Sequence, residues 1–296
     1  IVMSKNMIEK AREAVEGFSS LYEKTEQRLS LTGYFGSTSE NYLRELARIS
    51  LQFGTIPNNL AEEQINSYLQ GLTNRYTKQQ GTFKMAVWGL RYYFRKIKNQ
   101  QTAIALPVIR HTKDLPVVLS QQECRRLFKA DDDLRHRLML ITMYSAGLRV
   151  SELCHLKPCD IDSDRNRIHI KQSKNHKDRY VVLSSLLLVG LRKYYQQYKP
   201  EGYLFNGNRK GAPISTEGVR FILKQAVKKA GIIKPVTLHT LRHSFATHLL
   251  EEGLDLFTLK EQMGHTRITT TMTYVHIAQV MPKVAFSPLD RLYHKH

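Results

Sequence analysis

His239, Arg242, His265 and Tyr274 fall within thirty-six residues near the C-terminus: the first two in His239-Thr240-Leu241-Arg242-His243, then Gly264-His265, then Tyr274. His239 and Arg242 are three apart, and on a helix side chains at that spacing lie about 5–6 Å from each other, close enough to hold one phosphate. A tyrosine nearby supplies a phenol that can attack it. Two more elements carry chemistry: Gly147-Leu148-Arg149-Val150-Ser151-Glu152-Leu153, and Lys174 in Ser173-Lys174-Asn175-His176-Lys177-Asp178-Arg179. Each residue alone has a plainer reading. A lone histidine such as His239 or His265 is commonly a satisfied core residue, Arg149 could merely bond carbonyls near a helix start, and Tyr274 is one of fifteen tyrosines. Tyr293 is a rival nucleophile, but it lies in a polar tail without the Gly-His spacing. His243 and His248 read as structural.

Positioning these groups requires a mainly helical chain with one small sheet. From Met7 to Lys98 apolar residues recur at three-to-four spacing, in Tyr42, Leu43, Leu46 and Ile49 and again in Phe83, Val87, Leu90 and Phe94, which predicts a helical bundle. Ser39-Glu40 is a candidate helix start, with Pro57 in the loop that follows the helix. Asn99 to Val118, with Pro107 and Pro116, has no sustained period and reads as a linker. Ser120-Gln121-Gln122-Glu123 is a capping-box pattern that should open a second domain. An apolar helix over Leu138 to Tyr144 ends near Gly147. Alternation in Ile168 and Ile170, then Tyr180 to Leu183, predicts a β-hairpin whose basic tip, Gln172 to Arg179, includes Lys174. Asp160, Asp162 and Asp164 read as a solvated turn before that hairpin. Helices are then expected over Leu186 to Tyr198, Thr216 to Ala230, Leu238 to Glu252 and Asp255 to Met263, the last three each followed by glycine. The expected boundaries are a helical domain over 7–104, a linker over 105–116 and a mixed α/β domain over 117–296.

Charge points to the partner. The 296 residues hold 45 Lys+Arg against 26 Asp+Glu, a formal net charge of +19, which favours a polyanion. Residues 1–110 carry 15 basic and 9 acidic side chains and the remainder 30 and 17, so both halves are basic. Lys84, Arg91 and Arg95 alternate with Trp88, Tyr92 and Tyr93 in one helical stretch, and with Lys177 and Arg179 at the hairpin tip they are candidate DNA contacts. The plainer reading of such a run is a solvated helix face. The three cysteines, Cys124, Cys154 and Cys159, lack zinc-site spacing and read as structural thiols. No apolar run approaches the ~20 residues of a membrane span. The opening Ile1-Val2-Met3-Ser4-Lys5 is unlike a secretory signal, so a cytoplasmic protein is expected. There is no G-x-x-x-x-G-K-[ST] phosphate loop, so ATP is not expected.

Taken in order, Arg149, Lys174, His239-x-x-Arg242, Gly264-His265 and Tyr274, with the phrase Leu241-Arg242-His243-Ser244-Phe245-Ala246-Thr247-His248-Leu249-Leu250, resemble the tyrosine recombinase (phage-integrase) family, and within it the compact Xer-like members. The resemblance implies an N-terminal SAM-like core-binding bundle and a C-terminal mixed α/β catalytic domain that close around DNA as a C-shaped clamp. It implies site-specific cleavage and rejoining of DNA strands through a 3′-phosphotyrosine link to Tyr274, with Arg149, Arg242 and His265 on the phosphate and Lys174 as general acid. Ser173 and Asn175 flank Lys174 where many relatives have glycines. His239 is the candidate base, since a phenol with a pKa near 10 needs one or a strongly cationic pocket. Glu152 is read as a support for the arginines or His239. Neither metal nor cofactor is called for, because two arginines and a lysine can take the place of divalent ions. The implied partners are double-stranded DNA with inverted-repeat sites and three further copies of the chain, exchanging strands through a Holliday junction, without a membrane. The tail from Val275 to His296 could dock on a neighbouring subunit or on its own domain. Two alternatives stand beside this: a type IB topoisomerase-like enzyme, and a DNA-binding protein of this fold that does not cut.

Overall fold

The computed structural model describes residues 2–75, 80–97, 106, 115–171 and 178–278. The chain divides into two compact units, Ile1–Thr112 and Lys113–His296. Both are helical, and the second adds a small three-stranded sheet. Lys174, Lys177 and Tyr293 lie outside the described residues, as do most of the expected linker and nearly all of the C-terminal tail.

The first unit contains α1 (Val2–Ala14), α2 (Phe18–Leu31), α3 (Ser37–Phe53), a 3-10 turn at Pro57–Asn59, α4 (Glu62–Arg75) and α5 (Gln80–Tyr92), which runs into a π-turn over Tyr93–Ile97. The periodic residues do what their spacing predicts: Leu46, Ile49, Val87, Leu90 and Phe94 are buried in one core, with Phe83 packed against it. Tyr42 and Leu43 join Leu29 and Tyr92 in an adjoining cluster. α3 starts at Ser37, two residues before the expected Ser39. Gly36, with φ of 62°, turns the chain there and frees the next residue to enter the helix. Arg95 is exposed, while Lys84 and Arg91 are half-buried.

The second unit opens as its sequence signals. Ser120 Oγ accepts from the Glu123 amide at 3.1 Å, and Glu123 Oε2 accepts from the Ser120 amide at 2.7 Å. This reciprocal cap starts α6 (Gln121–Lys129). Then come α7 (Leu134–Ser145), α8 (Val150–His155), a 3-10 turn at Pro158–Asp160, the sheet, α9 (Ser185–Tyr198), α10 (Thr216–Lys229), α11 (Leu238–Glu251), α12 (Leu256–Met263) and α13 (Ile268–Val275). The sheet is antiparallel in the order β1 (Ile161–Asp162), β2 (Arg167–Ile170), β3 (Arg179–Val182). Ile168 pairs with Val181, so the predicted hairpin is in register. Ile168, Ile170 and Val181 point into a core shared with α7, α9 and α10.

Two sequence expectations change. β1 was not anticipated, because two residues show no alternation to read. Asp160 is not part of a solvated turn: it is 5% exposed, accepts from the Lys157 amide at 2.9 Å and pairs with Lys171 Nζ at 2.6 Å. A buried carboxylate needs such partners. The structure gives it both at the foot of the hairpin, so this aspartate anchors the sheet. Asp162 does cap the turn, accepting from the Arg165 amide and pairing with Arg167.

Candidate active site

The C-terminal ends of α7 and α12 each finish on a glycine in left-handed conformation, Gly147 with φ of 58° and Gly264 with φ of 61°. Such endings leave helix-terminal carbonyls without intrahelical partners. Here arginines take them. Arg242, on α11 and 3% exposed, donates from one end of its fork to the Gly147 carbonyl at 2.5 Å and from the other to the Met263 carbonyl. Arg149, at the N-terminus of α8, donates to the Gly264 carbonyl at 3.1 Å and to Glu152 Oε1 at 2.8 Å. Both guanidiniums are thereby fixed by backbone groups, and a planar fork suits that better than an ammonium. Burial, with Arg149 adding like charge, lowers the Arg242 pKa to about 10, which leaves it charged at neutral pH.

Gly147 has no room for a side chain. A Cβ built there would lie 2.5 Å from two ring carbons of Phe245 and 3.3 Å from the Met263 sulfur. Gly147→Ala is therefore expected to destabilise the second unit by about 1–3 kcal/mol through overpacking and positive φ. An unchanged urea midpoint would contradict this.

Glu152, expected to support the arginines or His239, bonds to Arg149 and Arg179. Its side chain is 4% exposed, and besides Arg149 it accepts two hydrogen bonds from Arg179, both at 2.8 Å. Burial alone would raise its pKa, but the hydrogen bonds and charge of Arg179 and Arg149 outweigh that and hold it down at about 2, from an ordinary 4.5. A depressed carboxylate pKa contributes stability that is present above the unfolded value and lost as pH falls through the folded one, here between about 4.5 and 2. The shift corresponds to about 3 kcal/mol. Acid unfolding followed by circular dichroism should show that loss in the wild type and a flatter profile in Glu152→Gln, and parallel profiles would contradict the assignment.

Arg179 was expected to touch DNA, and the structure corrects this. Its side chain is 9% exposed and spent on Glu152 and on the Gln262 carbonyl, which accepts from Nε at 3.0 Å. Three of its five N–H donors are thus spent inside the fold, and so little of the side chain reaches the surface that it is poorly placed to meet a phosphate. Lys171, immediately after β2, is tied to Asp160.

The loop after α12 brings His265 to the same place. Its Nε2 lies 3.3 Å from Arg242 Nη2 and its Nδ1 2.9 Å from the Thr271 hydroxyl. Burial, then the positive charge of Arg242, Arg149 and Arg179, lowers its pKa to about 4, so it is neutral at physiological pH. Tyr274, on α13 and 4% exposed, lies nearly parallel to the His265 ring, with centroids 6.2 Å apart. Burial raises its pKa, and Arg242 and Arg149 pull the other way. Its hydroxyl is 3.1 Å from Nδ1 of His243. His239, the expected base, lies one turn earlier on α11 and is exposed. Its ring centroid is 6.1 Å from that of His243. The packing around it, then Arg242 and Arg149, holds its pKa below the usual value.

Arg149, Arg242, His265 and Tyr274 thus meet at one place, with His239 one turn along the same helix. Sequence reasoning missed His243, although its i+4 spacing from His239 puts it on the same helix face. It also missed Thr271, three residues before Tyr274. His248 is structural as expected, bonded through Nδ1 to the Tyr144 hydroxyl and through Nε2 to the Leu119 carbonyl, both at 2.9 Å.

Comparison with known proteins gives the family. Residues 117–280 match the phage integrase family, and residues 12–104 match the phage integrase N-terminal SAM-like domain. The chain belongs to the phage integrase family, whose members are tyrosine recombinases. A putative integrase/recombinase of Sinorhizobium fredii is 36% identical over 93% of this chain and 94% of that protein. The tyrosine recombinase XerA of Thermococcus kodakarensis is 38% identical over 66% of this chain and 71% of its own length. The crystal structure of a XerA recombinase superposes with a TM-score of 0.51 at 26% identity, covering 93% of this chain and 97% of that one. A lambda integrase tetramer bound to a Holliday junction shares the fold with a TM-score of 0.71 at 19% identity, covering 90% of this chain and 80% of that one.

Proposed function

We propose that this family member is a site-specific DNA recombinase in which Tyr274 attacks a backbone phosphate, leaving a 3′-phosphotyrosine link and a free 5′-hydroxyl that later reseals a strand. The observation that carries the reading is the convergence, inside one compact unit, of two arginines held by backbone carbonyls, a histidine and a buried phenol. Charge that builds on the non-bridging oxygens during attack is met by donors already in place, so little reorganisation is needed as the reaction proceeds. A phosphate arriving at Arg242 displaces the contact to His265 Nε2. The Thr271 hydroxyl can donate or accept, so it lets His265 move its proton to Nε2 and become the third donor.

Lys174 is the proposed acid for the departing 5′-oxygen. Lys84, Arg91, Arg95 and Lys177 are proposed backbone contacts of the basic chain, and Arg179 is not among them. Neither metal nor nucleotide is assigned a role. By likeness to relatives crystallised on DNA, including the lambda integrase tetramer on a Holliday junction, the working unit is a homo-tetramer on two duplexes carrying inverted-repeat sites, acting in the cytoplasm. The test is incubation of the purified chain with a nicked suicide duplex built from the repeats that flank its gene. A protein–DNA adduct stable to denaturation, and recombinant product when two intact sites are present, are expected. Adduct without any dependence on paired sites would favour topoisomerase-like relaxation, and binding without adduct would sink the enzymatic reading.

A further inference from the structure

We propose that His243 is a catalytic residue of this site: its Nδ1 takes the phenol proton as Tyr274 attacks the phosphate, and returns it when the strand is rejoined. The proposal rests on the recombinase reading above and adds to it the proton acceptor.

Geometry comes first. The phenol oxygen and His243 Nδ1 are 3.1 Å apart, and the rings meet at 5.5 Å between centroids and 50° between planes. Tyr274 is almost wholly buried among Ala246, Leu250, Leu259 and Met263. A buried phenolic O–H needs an acceptor, and the hydrogen-bond partner that the structure gives this hydroxyl is Nδ1. His243 must then be neutral, with its own proton on Nε2. It is neutral, because burial, then His239 and Arg242, lowers its pKa to about 4. The ionisable groups facing it are His239 and Arg242 on its own helix and Tyr274 from α13, with His265 beyond the phenol.

The same electrostatics explain why the contact is idle without DNA and active with it. In the empty site burial, then His239 and Arg242, make the imidazole a poor base, and the phenol keeps its proton. A phosphodiester entering between Arg149 and Arg242 brings negative charge, which offsets the effect of Arg242 on the imidazole and raises its affinity for a proton. The step then balances. The bond from Tyr274 Oη to phosphorus forms, the bond from phosphorus to the 5′-oxygen breaks, the phenol proton moves to Nδ1, and the 5′-oxygen leaves with a proton from the acid assigned to Lys174. Rejoining runs the same transfers in reverse, with the imidazolium protonating the departing phenolate. No oxidant or cofactor is needed.

His243→Asn separates proton transfer from simple positioning, since its side-chain amide can sit where Nδ1 sat and hold a hydrogen bond but cannot accept a proton. The readout is the single-turnover rate of adduct formation on two suicide duplexes, one ordinary and one with sulfur as the bridging 5′-atom, whose thiolate leaves without an acid. The variant is expected to keep the wild-type melting temperature and DNA affinity and to react on the order of 10²-fold more slowly on both duplexes. The deficit should shrink as pH rises from about 6 to about 9, where more of the phenol ionises unaided. Lys174→Ala is the contrast, rescued by the sulfur leaving group. A rate within about threefold of wild type, or a deficit that vanishes on the sulfur duplex, overturns the proposal. If His243→Asn does not fold, nitrogen-15 shifts of labelled histidine in the unaltered chain decide. A proton on Nε2 and an accepting Nδ1 are required, and a proton on Nδ1 overturns it. Failure of the wild type to form any adduct would instead sink the recombinase reading.

Discussion

Tyr274→Phe should bind DNA with wild-type affinity, melt close to the wild-type temperature and form no covalent adduct at all. The ring is 4% exposed and packs on α11 and α12, and phenylalanine keeps every one of those apolar contacts. What disappears is one hydrogen bond, to His243, with a net contribution of about 1 kcal/mol. Against that small cost stands the loss of the proposed nucleophile, the oxygen that would form the bond to phosphorus. Denaturing gels of both proteins on the same nicked duplex, beside a binding titration, make the comparison. An adduct from the phenylalanine variant would assign the chemistry to another residue, and an unfolded variant would mean that the hydroxyl matters more to the fold than its single contact implies.

Arg242→Lys is expected to cost cleavage by about 10²- to 10³-fold, the usual effect of removing one preorganised donor. Arg242 spans the carbonyls of Gly147 and Met263 with two arms of one rigid plane while facing His265. A lysine ammonium reaches one point, so at least one buried carbonyl loses its partner and the remaining charge is less well aimed at the phosphate. Leaving a buried acceptor unsatisfied costs about 1–3 kcal/mol, so the variant should also melt earlier. The two readouts distinguish the roles. A lower melting temperature with an unimpaired rate would make Arg242 a structural tie alone.

That these side chains belong together was legible because of their types and spacings. Arg149, Arg242, His265 and Tyr274 were singled out by their order and the family resemblance it carries, and helices by period and capping, as where Ser120 and Glu123 announced α6 in four letters. What escaped belongs to partners that leave no side-chain signature. The groups holding Arg242 and Arg149 are carbonyls of Gly147, Met263 and Gly264, visible in sequence only as glycines whose positive φ the helix ends require. Arg179 looked like a DNA contact because it stands in a basic hairpin, and only the pairing of β3 with β2 shows it turned inward onto Glu152, twenty-seven residues away. His243 looked like filler because its value depends on where α13 places the phenol. Asp160 was misread for a related reason: an alternating acidic run suggests a wet turn, and the burial of its first member is decided by how the sheet closes over it.

The most direct measurement of the central claim is the identity of the residue that carries the DNA. Adduct trapped on a nicked duplex, digested with nuclease and protease and sequenced by mass spectrometry, should place the residual 3′-nucleotide on the peptide containing Thr273 and Tyr274, with the added mass on Tyr274. The same nucleotide on Tyr293, on any serine, or on no peptide would contradict it.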